Sequence, residues 1–254
     1  AAFVGRRERS TVLLRNALHF AREEELASIH FRPSRTFRLE TQVIRALARQ
    51  ATSIVVPCTR MAERVVDFLP TVAARVTVRF HPTSQAEWAG STPELPRTLF
   101  MPIVNSPYKN LDEHLALLLR AFGRLDTPAQ IVATLDPSDL PETLRVHSQL
   151  SCVGPLSGAQ VAEWLRRSAA VYYPTTVESF GYPLAEARVN GRSVVAPDTA
   201  QAQEIAGSAL RGYASGDVES LARAVETALT VTPTPDPRPF DRDRYFNDIS
   251  GQPR

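Results

Sequence analysis

Between residues 97 and 229 short apolar runs alternate with stretches of helical periodicity, and no other feature of this sequence constrains its fold as much. Strand-like runs of four or five residues fall at 97–101, 130–134, 150–153, 170–173 and 193–196, and helical patterns at 111–122, 157–167, 183–189, 200–205 and 218–229. Runs this short and this uniformly apolar suit strands covered on both faces. Parallel neighbours need long crossovers, which the interleaved helices supply. The pattern predicts an α/β fold with a doubly wound parallel sheet over residues 91–232.

Ahead of it the chain reads as helix 39–50, strand 53–57, helix 59–69 and strand 75–79, a single βαβ unit, with the Pro-containing stretch 81–96 as the break between units. One such unit buries little surface and leaves a sheet edge open. Residues 1–90 therefore read as the N-terminally truncated remnant of a first Rossmann-like domain, the remainder of which is expected ahead of Ala1. Residues 233–254 form a Pro-rich connector and tail: the alternating prolines from Pro233 to Pro239 cannot continue a helix, and segment 240–249 has the apolar residues to dock elsewhere.

The composition, 254 residues of which 43% are hydrophobic and 22% charged, is that of a soluble globular chain. No apolar run approaches the roughly 20 residues of a membrane span, and the first residues lack the pattern of a secretory signal. Cys58 and Cys152 lie far apart without metal-type neighbours. Neither a disulfide framework nor a zinc site is indicated, and a reducing, cytoplasmic setting is the default. His19, His30, His81, His114 and His147 show no ligand spacing. Net charge is +6 over residues 1–90 and −4 over 91–254. The basic front suits an anionic membrane surface or an acidic acceptor, and equally a solvated Arg-rich face. Every basic residue except Lys109 is Arg, which points to a place where a compact, flexible ammonium is wanted. Trp164, in helical spacing with Val161 and Leu165, reads as core.

The stretch richest in chemistry runs from Glu178 through Ser179, Phe180, Gly181, Tyr182, Pro183, Leu184 and Ala185 to Glu186, at the junction of strand 170–173 with helix 183–189. Ligands of open α/β sheets gather beyond the carboxyl ends of the strands, and a helix N-terminus offers unpaired N–H donors with a positive dipole end. Pro183 suits the first helical turn because it has no N–H to leave unsatisfied. Gly181 allows a backbone conformation that larger residues resist. Glu178 precedes the helix and Glu186 lies about one turn inside it, so both carboxylates can accept hydrogen bonds from the hydroxyls of one ligand. The plainer account is two acids near a helix start, each favourable by roughly 0.3–1 kcal/mol.

This string resembles the Glu, seven residues, Glu motif of the GT-B-fold retaining glycosyltransferases of family 4 (glycosyl transferases group 1). The resemblance implies that Glu178 binds a hydroxyl of the donor sugar, that the amides of Ser179, Phe180 and Gly181 hold sugar and phosphate, and that Glu186 holds the ribose hydroxyls. Tyr182 and Leu184 belong to the same donor-binding stretch. Residues 100–110 resemble the family segment whose Lys grips the donor diphosphate, which gives Lys109 that role and, with Glu178, a place among the catalytic groups. The family's Arg, five residues earlier, is Val104 here, followed by Asn105. Another Arg must then substitute, or leaving-group stabilisation is weaker. Gly154, in Val153-Gly154-Pro155-Leu156, resembles the loop beside the nucleotide base. Asn190-Gly191 resembles the turn after the motif helix, where a helix C-cap is a sufficient explanation, and Glu204 reads as an exposed helical acid. Strands 53–57 and 75–79 resemble the last strands of the family's acceptor domain. Its glycine-rich loop, acceptor pocket and His have no counterpart.

By this resemblance the chain is expected to be the donor-binding part of a retaining hexosyltransferase. It would move a hexose from a nucleoside diphosphate sugar to the hydroxyl of a glycan or lipid-linked acceptor, with no metal or other cofactor and no nucleic-acid partner. The cytoplasm, including the inner face of the membrane, is the expected location. The alternative is a non-catalytic nucleotide-sugar-binding module or degenerate paralogue, favoured by the absent Arg and the missing part of the first domain. An epimerase or phosphorylase is a weaker third, since no catalytic residues of its own are visible. Base, sugar and oligomeric state stay open.

Overall fold

The structure, a computed structural model, describes residues 2–4 and 10–250. It divides into two units, one of residues 1–82, 177–181 and 239–254 and the other of residues 83–176 and 182–238. Ahead of residue 83 the elements are β1 (Ala2–Val4), β2 (Thr11–Leu13), α1 (Glu23–Ser28), α2 (Arg35–Gln50), β3 (Ser53–Val56), α3 (Thr59–Phe68) and β4 (Val76–Val78). The strands form one sheet in the order β1-β2-β3-β4, antiparallel only between β1 and β2. The βαβ unit read from the sequence is β3–α3–β4. Beside it stand β1, β2 and α1, which the sequence reading missed, because three to six residues are too few for a period to show. Helix α2 starts at Arg35 rather than residue 39, since the Ser34 side chain accepts the Phe37 N–H and caps it there.

The second unit contains β5 (Leu95–Met101), α4 (Leu111–Phe122), β6 (Gln130–Ala133), α5 (Glu142–Arg145), β7 (Leu150–Cys152), α6 (Gly158–Arg167) and β8 (Ser168–Tyr172). After these come α7 (Tyr182–Asn190), β9 (Ser193–Pro197), α8 (Ala200–Ala206), β10 (Leu210–Tyr213) and α9 (Val218–Thr230). Its six strands are all parallel, in the order β10-β9-β8-β5-β6-β7, so the expected doubly wound α/β sheet is present. Strands β8 and β9 are buried at every position, as suits their apolar runs Ala169–Tyr172 and Val194–Pro197, each preceded by one buried serine. Leu99, Met101, Leu115, Leu118, Ile131, Leu221 and Val225 share one core cluster, and each such side chain contributes about 1.5–3 kcal/mol on burial. Trp164 stacks on Phe100 with ring centroids 6.2 Å apart, a packing role. Strand β10 went unread because Leu-Arg-Gly-Tyr at a sheet edge carries little apolar signal.

Helix α7 ends in a paired-hydrogen-bond cap. The Arg192 N–H donates to Ala187 O at 2.9 Å and the Gly191 N–H to Arg188 O at 3.4 Å, with Gly191 at φ +69°. A Cβ at Gly191 would stand 2.9 Å from Pro233 O, so the Pro-rich connector closes over the same glycine. The tail then joins the first unit, where Phe240 stacks on Phe80 at 5.5 Å and α10 (Arg242–Ser250) brings Tyr245 to His81, the centroids 6.0 Å apart. Gly191→Ala combines a left-handed backbone with an overlap against the connector. Urea denaturation is expected to show a loss of about 2 kcal/mol.

Candidate functional site

In the second unit β5 has β6 on one side and β8 on the other, so the chain winds outward from β5 to β7, crosses back to β8 and winds the other way to β10, and a crevice opens beyond the strand ends at that switch. A cavity of about 460 Å³ occupies it, lined by Ile103, Val104 and Asn105 after β5, Thr134, Asp136 and Asp139 after β6, Pro155 and Leu156 after β7, and Tyr182, Pro183 and Glu186 of α7. Thr134 fixes its floor: the hydroxyl accepts the Ile103 N–H and donates to Ile103 O, both at 2.7 Å. Gly154, at φ +72°, donates its N–H to Leu135 O at 3.0 Å and sets the path of the chain into Pro155. Leu184 is buried beneath the helix surface and does not line the cavity.

Glu186 is the group whose electrostatics stand out. Among the described residues no hydrogen bond or ion pair reaches its carboxyl, and burial alone pushes its pKa up to about 7. Asp136 behaves oppositely. Its carboxylate accepts from the Ser138 hydroxyl at 2.6 Å and the Ser138 N–H at 2.8 Å, bonds that lower its pKa. The lining therefore carries Asp136, Asp139 and Glu186 and neither Lys nor Arg. Val104, at the position where the family has an Arg, is exposed; no arginine replaces it on the cavity wall. Lys109 lies in the second unit in a short turn, Pro107–Lys109, that leads through Asn110 (φ +46°) into α4. It is not part of the lining.

Residues 177–181 belong to the first unit. There the Glu178 carbonyl accepts from Arg64 Nη1 at 2.9 Å and the Ser179 carbonyl from Cys58 Sγ at 3.2 Å. Phe180 is buried among Phe80, His81 and Phe240, with centroids 5.1–6.2 Å away. Gly181 follows at φ +86°. The cavity thus brings together Tyr182 and Glu186 with the chain next to Gly154, while Glu178, Ser179, Phe180 and Gly181 are fixed within the other unit. Sequence reasoning missed Thr134, Asp136, Asp139 and Arg64. The first three lie in the loop that follows β6 and could have been found from that position alone. Arg64 carries no motif.

Among the described residues no group of three or more His, Cys, Asp or Glu is placed to hold a metal ion, and no helix is long and apolar enough to cross a membrane. The family model described as glycosyl transferases group 1 matches residues 104–230. No curated protein matches the chain. A solved structure of an S. aureus TarM mutant, in complex with fondaparinux, alpha-GlcNAc-glycerol and UDP, is similar at a TM-score of 0.64 and 12% identity, over 95% of this chain and 47% of that one. WaaG, a glycosyltransferase involved in lipopolysaccharide biosynthesis, gives 0.65 and 16%, over 87% and 66%. The α,α-trehalose-phosphate synthase of Burkholderia vietnamiensis gives 0.57 and 12%, over 94% and 64%. At these identities the likeness is one of fold, the GT-B type, and the chain spans about half the length of TarM.

The raised Glu186 pKa has a definite sign. The unfolded chain loses this proton near pH 4.5 and the folded chain near 7, so the group erodes stability as pH rises between those values. Glu186→Gln is expected to stabilise the protein at pH 8 by on the order of 2 kcal/mol, with little effect at pH 4. Denaturation at the two pH values checks it.

Proposed function

The chain belongs to the group 1 glycosyl transferases, and from that premise we propose that it supplies the donor-binding part of a retaining hexosyltransferase. The observation that carries this reading is Glu186, a carboxyl with no described protein partner on a cavity beyond the strand ends. Ribose hydroxyls supply the donors it lacks. Ile103, Leu156 and Tyr182 offer the base an apolar wall. Glu178 orients the hexose, while Lys109 and the amides of residues 179–181 meet the negative charge of the diphosphate. The anomeric carbon's bond to the leaving phosphate oxygen breaks as its bond to the acceptor oxygen forms on the same face. The acceptor's proton passes to the leaving phosphate, so no side chain is assigned as the base.

A second reading, a nucleotide-sugar-binding module without turnover, is favoured by one observation: Val104 stands where the family has Arg, and the cavity wall carries acids but no cation. The two part in a transfer assay on the full-length protein. The enzyme reading expects turnover that falls by about 10²-fold or more in Glu178→Ala. Donor binding without turnover in the wild type supports the module.

Both readings expect nucleotide binding to depend on Glu186. A ligand whose hydroxyls donate to the carboxylate favours its charged form, so affinity should rise with pH up to about 7 and level off above. Titration calorimetry in buffers of different ionisation enthalpy should show proton release near pH 6.5, absent in Glu186→Gln. UDP, the nucleotide named with TarM, is the first to compare with GDP. At 100 times its Kd the preferred one should stabilise the protein by about 2.7 kcal/mol.

A further inference from the structure

Arg64 is 2% exposed in the first unit, and each of its guanidinium nitrogens donates a hydrogen bond. Nη2 and Nε donate to one carboxylate oxygen of Glu25 at 2.8 and 3.2 Å, and Nη1 donates to the Glu178 carbonyl at 2.9 Å. Glu25 is itself held: Arg60 donates to the same oxygen at 3.0 Å and the Arg22 N–H to the other at 3.0 Å. Burial raises the Glu25 pKa, but the hydrogen bonds from Arg64, Arg22 and Arg60 outweigh it and hold the carboxyl at about 2, so the brace stays ionised at any working pH. Whatever the pair costs to bury, removing either partner strands the other's charge and costs a great deal.

The peptide geometry gives this brace a consequence. In a trans peptide the carbonyl and the following N–H point in opposite directions, and no described bond is cis. The Glu178 carbonyl faces Arg64, so the Ser179 N–H is turned away from it. The Ser179 carbonyl faces Cys58, so the Phe180 N–H is turned away from that side. The Ser179 N–H has no partner among the described residues. We infer that Arg64, braced by Glu25, is a positioning residue for the transfer reaction: by holding the Glu178 carbonyl it fixes both the Glu178 side chain and the amides that meet the donor. This rests on the donor-binding role proposed for Glu178.

Arg64→Lys keeps a charge for Glu25 but not the fork that serves carboxylate and carbonyl together. In the full-length protein it is expected to lower kcat 10-fold or more while donor KM changes less than about threefold, the mark of interactions made in the transition state. Glu25→Gln should act in the same direction, and hydrogen exchange at the amides of 179–181 should speed up in both variants relative to β3. Unchanged kcat with unchanged exchange at 179–181 overturns the proposal. So does a kcat loss that merely follows the folded fraction measured on the same samples. Faster exchange at 179–181 in a protein whose wild type transfers no sugar would retire the transfer reading and leave the anchoring of this segment intact.

Discussion

The pairing of β5 with β8 is the constraint on which the second unit depends. Strands separated by more than sixty residues in sequence lie side by side, and only because of that does the sheet extend from β5 both ways, towards β7 and towards β10. The loops after β5 and β6 and the start of α7 then surround one crevice. The wall residues are ordinary in isolation: Ile103, Thr134, Leu156 and Glu186 become a site through strand order, which fixes which loops face one another. The core cluster behind them, from Leu99 through Leu118 to Val225, makes that order expensive to disturb.

The charge distribution around the crevice is one-sided. Asp136 is held ionised by Ser138, whereas Glu186 lacks a partner and keeps its proton to near neutrality. A wall of this kind suits hydroxyl donors and repels anions. The one lysine of the sequence, Lys109, lies off this wall on a separate turn. Val104 and Asn105, occupying the strand end where an arginine would have reached in, leave that wall uncharged or acidic throughout.

Much of this was readable in the sequence, and the exceptions are physical. Long, strongly periodic elements such as α4 and α9, and fully buried strands such as β8 and β9, declare themselves because every position carries the same signal. Strands β2 and β10 do not, being short and set beside partners that supply most of their stabilisation. The Glu178–Glu186 string was visible because it concentrates unusual residues at a junction. Arg64 and Glu25 were invisible: one arginine of the 28 in the sequence acquires meaning only from the carbonyl it happens to face. The segment 177–181 likewise reads as part of the second unit from its place in the chain, and the packing of Phe180 against Phe80 and Phe240 assigns it to the first.

That assignment bears on how the protein can be taken apart. The units interleave along the chain, which passes from one to the other at 82–83, 176–177, 181–182 and 238–239, so neither can be excised as one continuous peptide with all its own residues. A fragment spanning 83–238 would carry Phe180 stripped of its aromatic neighbours and a Glu178 carbonyl with no guanidinium. A protease nick near 238 would cost the first unit Phe240 and Tyr245 while sparing every strand of the second. Gene fusions and deletions at this locus therefore face a restriction that a linear domain map conceals: the motif travels with one half of the protein and is shaped by the other.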